Sequence, residues 1–112
     1  MSLAIKILPE TVRSLAAASI VAGYMGIGTA IDNPARIFYL QNLTDATLMF
    51  SFDGINDHFP LPANGFILLD VATNRTVSEQ FYVSQGQRIY VKELGVPTTG
   101  SVYLTVFYGS DQ

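Results

Sequence analysis

The chain has 112 residues, a formal charge of −3, and 13% charged against 49% hydrophobic residues. That length holds one hydrophobic core rather than two, and the composition excludes intrinsic disorder. An acidic balance offers no basic field to phosphate backbones, and the lack of cysteine excludes disulfides, thiolate metal sites and thiol nucleophiles. The expectation is one domain over residues 1–112 that binds no nucleic acid and leaves apolar surface for a partner.

At the N-terminus, Ala4–Leu8 predicts a short strand, and residues 1–9 form a candidate arm ahead of a β-sandwich over residues 10–109. Thr11–Ser19 has fair helix propensity. The β-branched Ile20 and Val21 and the close succession of Gly23, Gly26 and Gly28 instead favour irregular β structure over Val12–Ile27. Eighteen uncharged residues, Ser14–Ile31, reach the length of a membrane span. Their glycines and hydroxyls keep the stretch only modestly hydrophobic, and no basic cluster follows, so no membrane partner is expected. A signal peptide is disfavoured because Pro9, Glu10 and Arg13 interrupt the apolar run it needs.

From Ala35 onward, short apolar runs with a two-residue period alternate with Gly, Pro, Asn and Asp. Arg36–Gln41 and Thr47–Phe52 predict two strands, and Asn42–Ala46 predicts a tight reversal that pairs them as a hairpin. Asp53–Gly65, with Pro60 and Pro62, predicts a long exposed connection. Phe66–Ala72 is almost wholly apolar and predicts a strand covered on both faces. Gln80–Val83 and Gln87–Glu93 flank Ser84-Gln85-Gly86 as a second hairpin, with Phe81, Val83, Ile89 and Val91 inward. Ser101–Tyr108 follows the Val96–Gly100 turn, with Val102, Leu104, Val106 and Tyr108 on one face and Tyr103, Thr105 and Phe107 on the other. About eight short antiparallel strands add up to an all-β, single-domain β-sandwich or jelly roll.

Few residues suggest chemistry. Asp53, Asn56 and Asp57 cluster oxygens around Gly54, but calcium wants six to eight ligands and a bidentate acid, so a turn is favoured over a metal site. His58 beside Asp57 lacks any nucleophile elbow. Asp45, Asp53, Asp57 and Asp70 read as turn residues rather than a glycosidase pair. The thirteen Phe and Tyr side chains are expected mainly in the core, with sugar stacking as the minority reading. Asn42-Leu43-Thr44 and Asn74-Arg75-Thr76 fit the glycosylation pattern, though turn chemistry explains both. No catalytic residue, cofactor or metal site is expected.

Asn33-Pro34-Ala35-Arg36-Ile37, Asn42-Leu43-Thr44-Asp45, Ser51-Phe52-Asp53-Gly54, Leu69-Asp70-Val71 with Asn74, Ile89-Tyr90-Val91-Lys92 and Gly100-Ser101-Val102-Tyr103 together resemble a family of small tailed-bacteriophage virion proteins. The pattern is most similar to the capsid decoration, or staple, proteins of short-tailed phages of the epsilon-fifteen type, over residues 10–109. The resemblance implies a jelly-roll-like fold and no catalytic motif. It also implies assembly in the bacterial cytoplasm onto the capsid exterior, with the major capsid protein as partner and further copies of the chain beside it. The alternative it leaves is a tail, neck or fibre-associated module that binds a partner protein or a host glycan.

The apolar N-terminal third supplies the candidate partner interface: Leu3, Ile5 and Ile7, then Ile20, Val21, Tyr24, Met25 and Ile27. An arm there would add a strand to a neighbouring sheet through main-chain hydrogen bonds. The same residues would serve equally well as ordinary core.

Overall fold

The computed structural model describes residues 6–33, 35–70 and 86–110. In chain order the elements are β1 (Lys6–Pro9), β2 (Arg13–Ala16), a 3-10 turn (Ala17–Ser19), β3 (Met25–Gly26) and β4 (Ile37–Asn42). There follow β5 (Leu48–Ser51), β6 (Phe59–Leu61), β7 (Phe66–Asp70), β8 (Tyr90–Glu93) and β9 (Ser101–Ser110). Every pairing is antiparallel. One sheet has the order β1-β9-β4-β7, with β2 also on β9, and the other has the order β3-β8-β5-β6.

The pairs are nested: β1 and β2 with β9, β3 with β8, β4 with β7, and β5 with β6. The chain is thus one long antiparallel ribbon, wound so that β4 also meets β9 and β5 meets β8. That winding is a jelly roll, as the strand pattern predicts. Ser14–Ile31 is shared among β2, the 3-10 turn, β3 and loops, and no helix among the described residues is long and apolar enough to cross a membrane.

Between the sheets, Phe38, Leu40, Val102, Leu104 and Val106 of the first sheet meet Leu48, Phe50, Leu61 and Val91 of the second. Burying each such side chain contributes about 1.5–3 kcal/mol. Phe50 stacks on Phe59 with centroids 5.6 Å apart, and Phe52 tilts against both Phe38 and Phe59. Ile20, Ile27, Ile31 and Ala35, all in loops, close the ends of this core.

A bulge separates β1 from β2. Pro9 lies opposite Phe107 and Arg13 opposite Leu104, so Glu10–Val12 spans three residues against two on β9. One extra residue reverses the side-chain parity: Leu8 pairs inward with Tyr108, whereas Arg13 pairs inward with Leu104. Arg13 is therefore turned beneath the loop before β4, where it is 7% exposed.

Four expectations need correction. Arg36–Gln41 and Thr47–Phe52 form no hairpin, because β4 lies in the first sheet and β5 in the second. Asn42, wholly buried, holds the corner: its Nδ2 donates to the carbonyls of Ala46 and Leu61, each at 2.9 Å, and of Pro62 at 3.1 Å. The Asp53–Gly65 connection contains β6, an edge strand, where Pro60 needs no second ladder partner. Among the described residues β7 is covered on one face only, with Phe66 and Leu68 more than half exposed on the other. Residues 6–9, placed in a candidate arm ahead of the sandwich, are part of it, pairing with the chain's own β9, whose ten-residue length offers them an edge. Of the Gln80–Glu93 hairpin, residues 80–83 lie outside the described residues.

Candidate interaction surface

Strand alternation leaves each sheet an outer face, and the two faces are treated differently. On the second sheet, residues 52–58 fold back over the strands. Ser51 Oγ donates to Asp53 Oδ1 at 2.8 Å and accepts from the amides of Asp53 and Gly54. Asp53 Oδ1 caps the amides of Ile55 and Asn56, each at 2.8 Å, and Oδ2 accepts from Asn56 Nδ2. Gly54, at φ +75°, brings its backbone onto the Tyr90 ring, which a Cβ would approach to 3.2 Å. The loop is pinned at its far end by Asp57, which accepts from Tyr24 Oη at 2.5 Å and pairs with Lys92 Nζ at 3.0 Å. Lys92 in turn lies 4.8 Å over the Tyr24 ring.

These bonds set the local charges. The amides of Asn56 and Ile55 hold the Asp53 carboxyl well below its ordinary range. The Tyr24 hydroxyl and Lys92 do the same for Asp57. Burial, and then the adjoining Asp57, push the Tyr24 hydroxyl upward. With four donors on Asp53, the Asp53–Asn56–Asp57 cluster is a self-satisfied turn, and no cluster of three metal-ligating side chains occurs among the described residues. His58 Nδ1 accepts from the Phe52 amide at 2.9 Å while Asp57 faces Tyr24, so the Asp57–His58 pair serves the loop.

The first sheet receives no such cover from the described residues. Its outward register positions are Ile37, Tyr39 and Gln41 on β4, Tyr103, Thr105 and Phe107 on β9, Phe66, Leu68 and Asp70 on β7, and Ser14 and Ala16 on β2. Ile7 and Pro9 of β1 continue the face. Asp70, at the end of β7, is the one charged residue among these positions. Phe66 is 59% and Leu68 58% exposed, and Tyr39 meets Phe66 edge-on with centroids 5.7 Å apart. A sheet face this rich in aromatic and aliphatic residues, with one acid at its edge, is the candidate interaction surface of the described residues.

A cleft of about 490 Å³ opens beside the bulge, lined by Glu10, Arg13, Thr29 and Asn33 among others. Its buried charged pair is already engaged. Arg13 pairs with Glu10 at 2.9 Å and donates to the carbonyls of Thr29 at 2.8 Å and Ala30 at 2.9 Å, and Glu10 accepts from both nitrogens of Asn33. The cleft is the surface of a structural ion pair.

The N-terminal candidates do not come together. Leu3 and Ile5 lie outside the described residues. Ile20 and Ile27 are core, so neither is available to a partner. Ile7 is exposed on the first sheet, Val21 on a loop and Met25 on the second sheet, while Tyr24 lies under Lys92. The surface instead centres on Tyr39, Phe66, Leu68, Tyr103 and Phe107. Its one sequence signal was that β4, β7 and β9 carry apolar residues at both parities. No family model, no curated protein and no solved structure matches the chain. Fold and surface define a class: a small jelly-roll protein with one sheet face that is largely apolar and uncovered among the described residues.

Proposed function

We propose that this chain is a noncatalytic structural protein of a tailed-phage virion, which decorates the capsid as a symmetric homo-oligomer and stabilises the lattice of the major capsid protein. The largely apolar outer face of the first sheet carries the reading. Covering it gains about 25 cal/mol per Å² of apolar area, and a single acid, Asp70 at the end of β7, is the charge to be desolvated or left at the rim. The jelly roll agrees with the resemblance to phage staple proteins, and an acidic chain suits the outside of a shell, away from packaged DNA.

The mechanism is mass action. A protein that binds the assembled lattice but not free subunits shifts the equilibrium toward the lattice, and many modest contacts over a closed shell add to a large barrier against disassembly. Co-sedimentation with emptied phage capsids tests this, with bound copies expected in numbers comparable to the shell subunits. Recovery at a few copies per particle would move the protein to a neck, tail or fibre, and no recovery would overturn the virion reading.

A further inference from the structure

We infer that His58 is a pH-sensitive clasp on the loop at 52–58: the neutral imidazole holds the neck of the loop closed, and the imidazolium releases it. Two hydrogen bonds tie residue 58 back to the chain leaving β5. Its amide donates to the Phe50 carbonyl at 3.1 Å, and its Nδ1 accepts from the Phe52 amide at 2.9 Å. Protonation does not alter the first. The second needs a lone pair on Nδ1, and therefore the tautomer that carries its hydrogen on Nε2. The imidazolium carries a hydrogen on both nitrogens, so donor then faces donor and the clasp opens.

What the clasp holds is residue 52. The Phe52 ring packs on the core, tilted against Phe38 and Phe59 with centroids 5.8 and 5.7 Å away, and against the His58 imidazole at 5.7 Å. Its carbonyl accepts from Gln87 Nε2 at 3.3 Å. From Phe52 the chain runs directly into Asp53 and Gly54, where it covers the Tyr90 ring. Freeing the Phe52 amide loosens the link between that cover and the core, so mild acid opens a way to the outer face of the second sheet.

The surrounding groups leave the switching to His58, the only histidine of the chain. β5 and β6 carry no titratable side chain. The loop carries Asp53 and Asp57, both held ionised below the ordinary carboxylate range by the hydrogen bonds they accept. Tyr24 and Lys92 bind Asp57, Tyr90 lies beneath Gly54, and Arg88 lies over Tyr90. Glu93 pairs with Leu48, at the other end of β5 from the loop. Phenol, ammonium and guanidinium groups do not change charge in mildly acidic water, whereas imidazole does. The Asp57 charge favours the imidazolium, and Lys92, paired with Asp57, tempers that pull.

Proton–nitrogen NMR of the full chain from about pH 7.5 to about pH 5.5 tests the clasp, reading the His58 ring and amide hydrogen exchange corrected for its intrinsic pH dependence. Three chains are compared: the wild type, His58→Asn, whose Oδ1 can accept from the Phe52 amide at any pH, and His58→Ala, which offers no acceptor. His58 is exposed, so all three should share one far-UV circular dichroism spectrum. In the wild type, protection of the Phe52 amide is expected to fall about five- to tenfold as the ring titrates, the share of one hydrogen bond, while that of the buried Leu40 stays constant. His58→Asn should keep the protection at both ends of the range, and His58→Ala should lack it at both. Unchanged wild-type protection across the titration of the ring, an equal fall in His58→Asn, or a Leu40 amide that falls alongside would overturn the clasp.

Discussion

The Glu10 carboxylate lies 2.9 Å from the Arg13 guanidinium, and the two side chains are only 4% and 6% exposed. The one-residue bulge between β1 and β2 makes this possible, since it turns Arg13 inward while Glu10 reaches across to Asn33 of the loop before β4. The ion pair thereby ties that loop to the sheet edge. Removing one partner leaves the other charge buried and uncompensated, so Arg13→Met is expected to cost about 3–5 kcal/mol. Urea denaturation checks this, and Arg13→Met combined with Glu10→Gln should recover part of the loss.

Asn42 holds the corner between the sheets, its two N–H groups shared among three carbonyls and its Oδ1 accepting from the Thr44 amide and hydroxyl. Asn42→Ala strands buried carbonyls and is expected to cost about 1–3 kcal/mol or more, read as a lower denaturation midpoint. The same burial closes the Asn42-Leu43-Thr44 glycosylation pattern. Mass spectrometry of protein passed through a eukaryotic secretory route should find Asn42 unmodified.

Gly100 has φ +86°, and a Cβ there would run into the Leu43 carbonyl. Gly100→Ala therefore strains the turn into β9 and displaces the adjoining corner. Thermal denaturation should show a loss of more than about 1 kcal/mol.

Acid should weaken the fold through its loops. Hydrogen bonds from the Thr98 hydroxyl and amide lower Asp45 to about 2, and Asp53 and Asp57 are also lowered from the ordinary 3.8. Below about pH 4 the unfolded chain takes up protons that the folded chain refuses, so folding loses stability progressively as the pH falls toward about 2. Denaturation midpoints measured across that window should fall. Asp45→Asn should reduce the slope.

On the outer face of the first sheet, Leu68→Lys is expected to change the stability of the isolated fold by no more than about 0.5 kcal/mol. Phe50→Ala, in the core, should cost about 3–5 kcal/mol. A large loss with Leu68→Lys, measured at concentrations too low for association, would show that the face is core rather than surface.

Much of this fold was legible in the residues. The alternation of Phe38 and Leu40 with Ile37 and Tyr39, and of Val102, Leu104 and Val106 with Tyr103 and Thr105, reports strand and parity locally, because successive side chains point to opposite faces. Gly23, Gly26 and Gly28 likewise argued correctly against a long helix. Asn42–Ala46 misled, because its turn chemistry is the same whether a chain reverses within one sheet or crosses to another.

Sequence by itself determined an all-β chain, the alternating faces of β4 and β9, the inward Ile89 and Val91, and the scarcity of charge. Only the tertiary structure decided which second faces were covered. Tyr90 and Phe66 are both aromatic strand residues, yet the loop at 52–58 folds over the first, and no described residue does the same for the second. The reason is physical: a two-residue period is written in neighbouring residues, whereas burial depends on what segments distant in the chain bring against them.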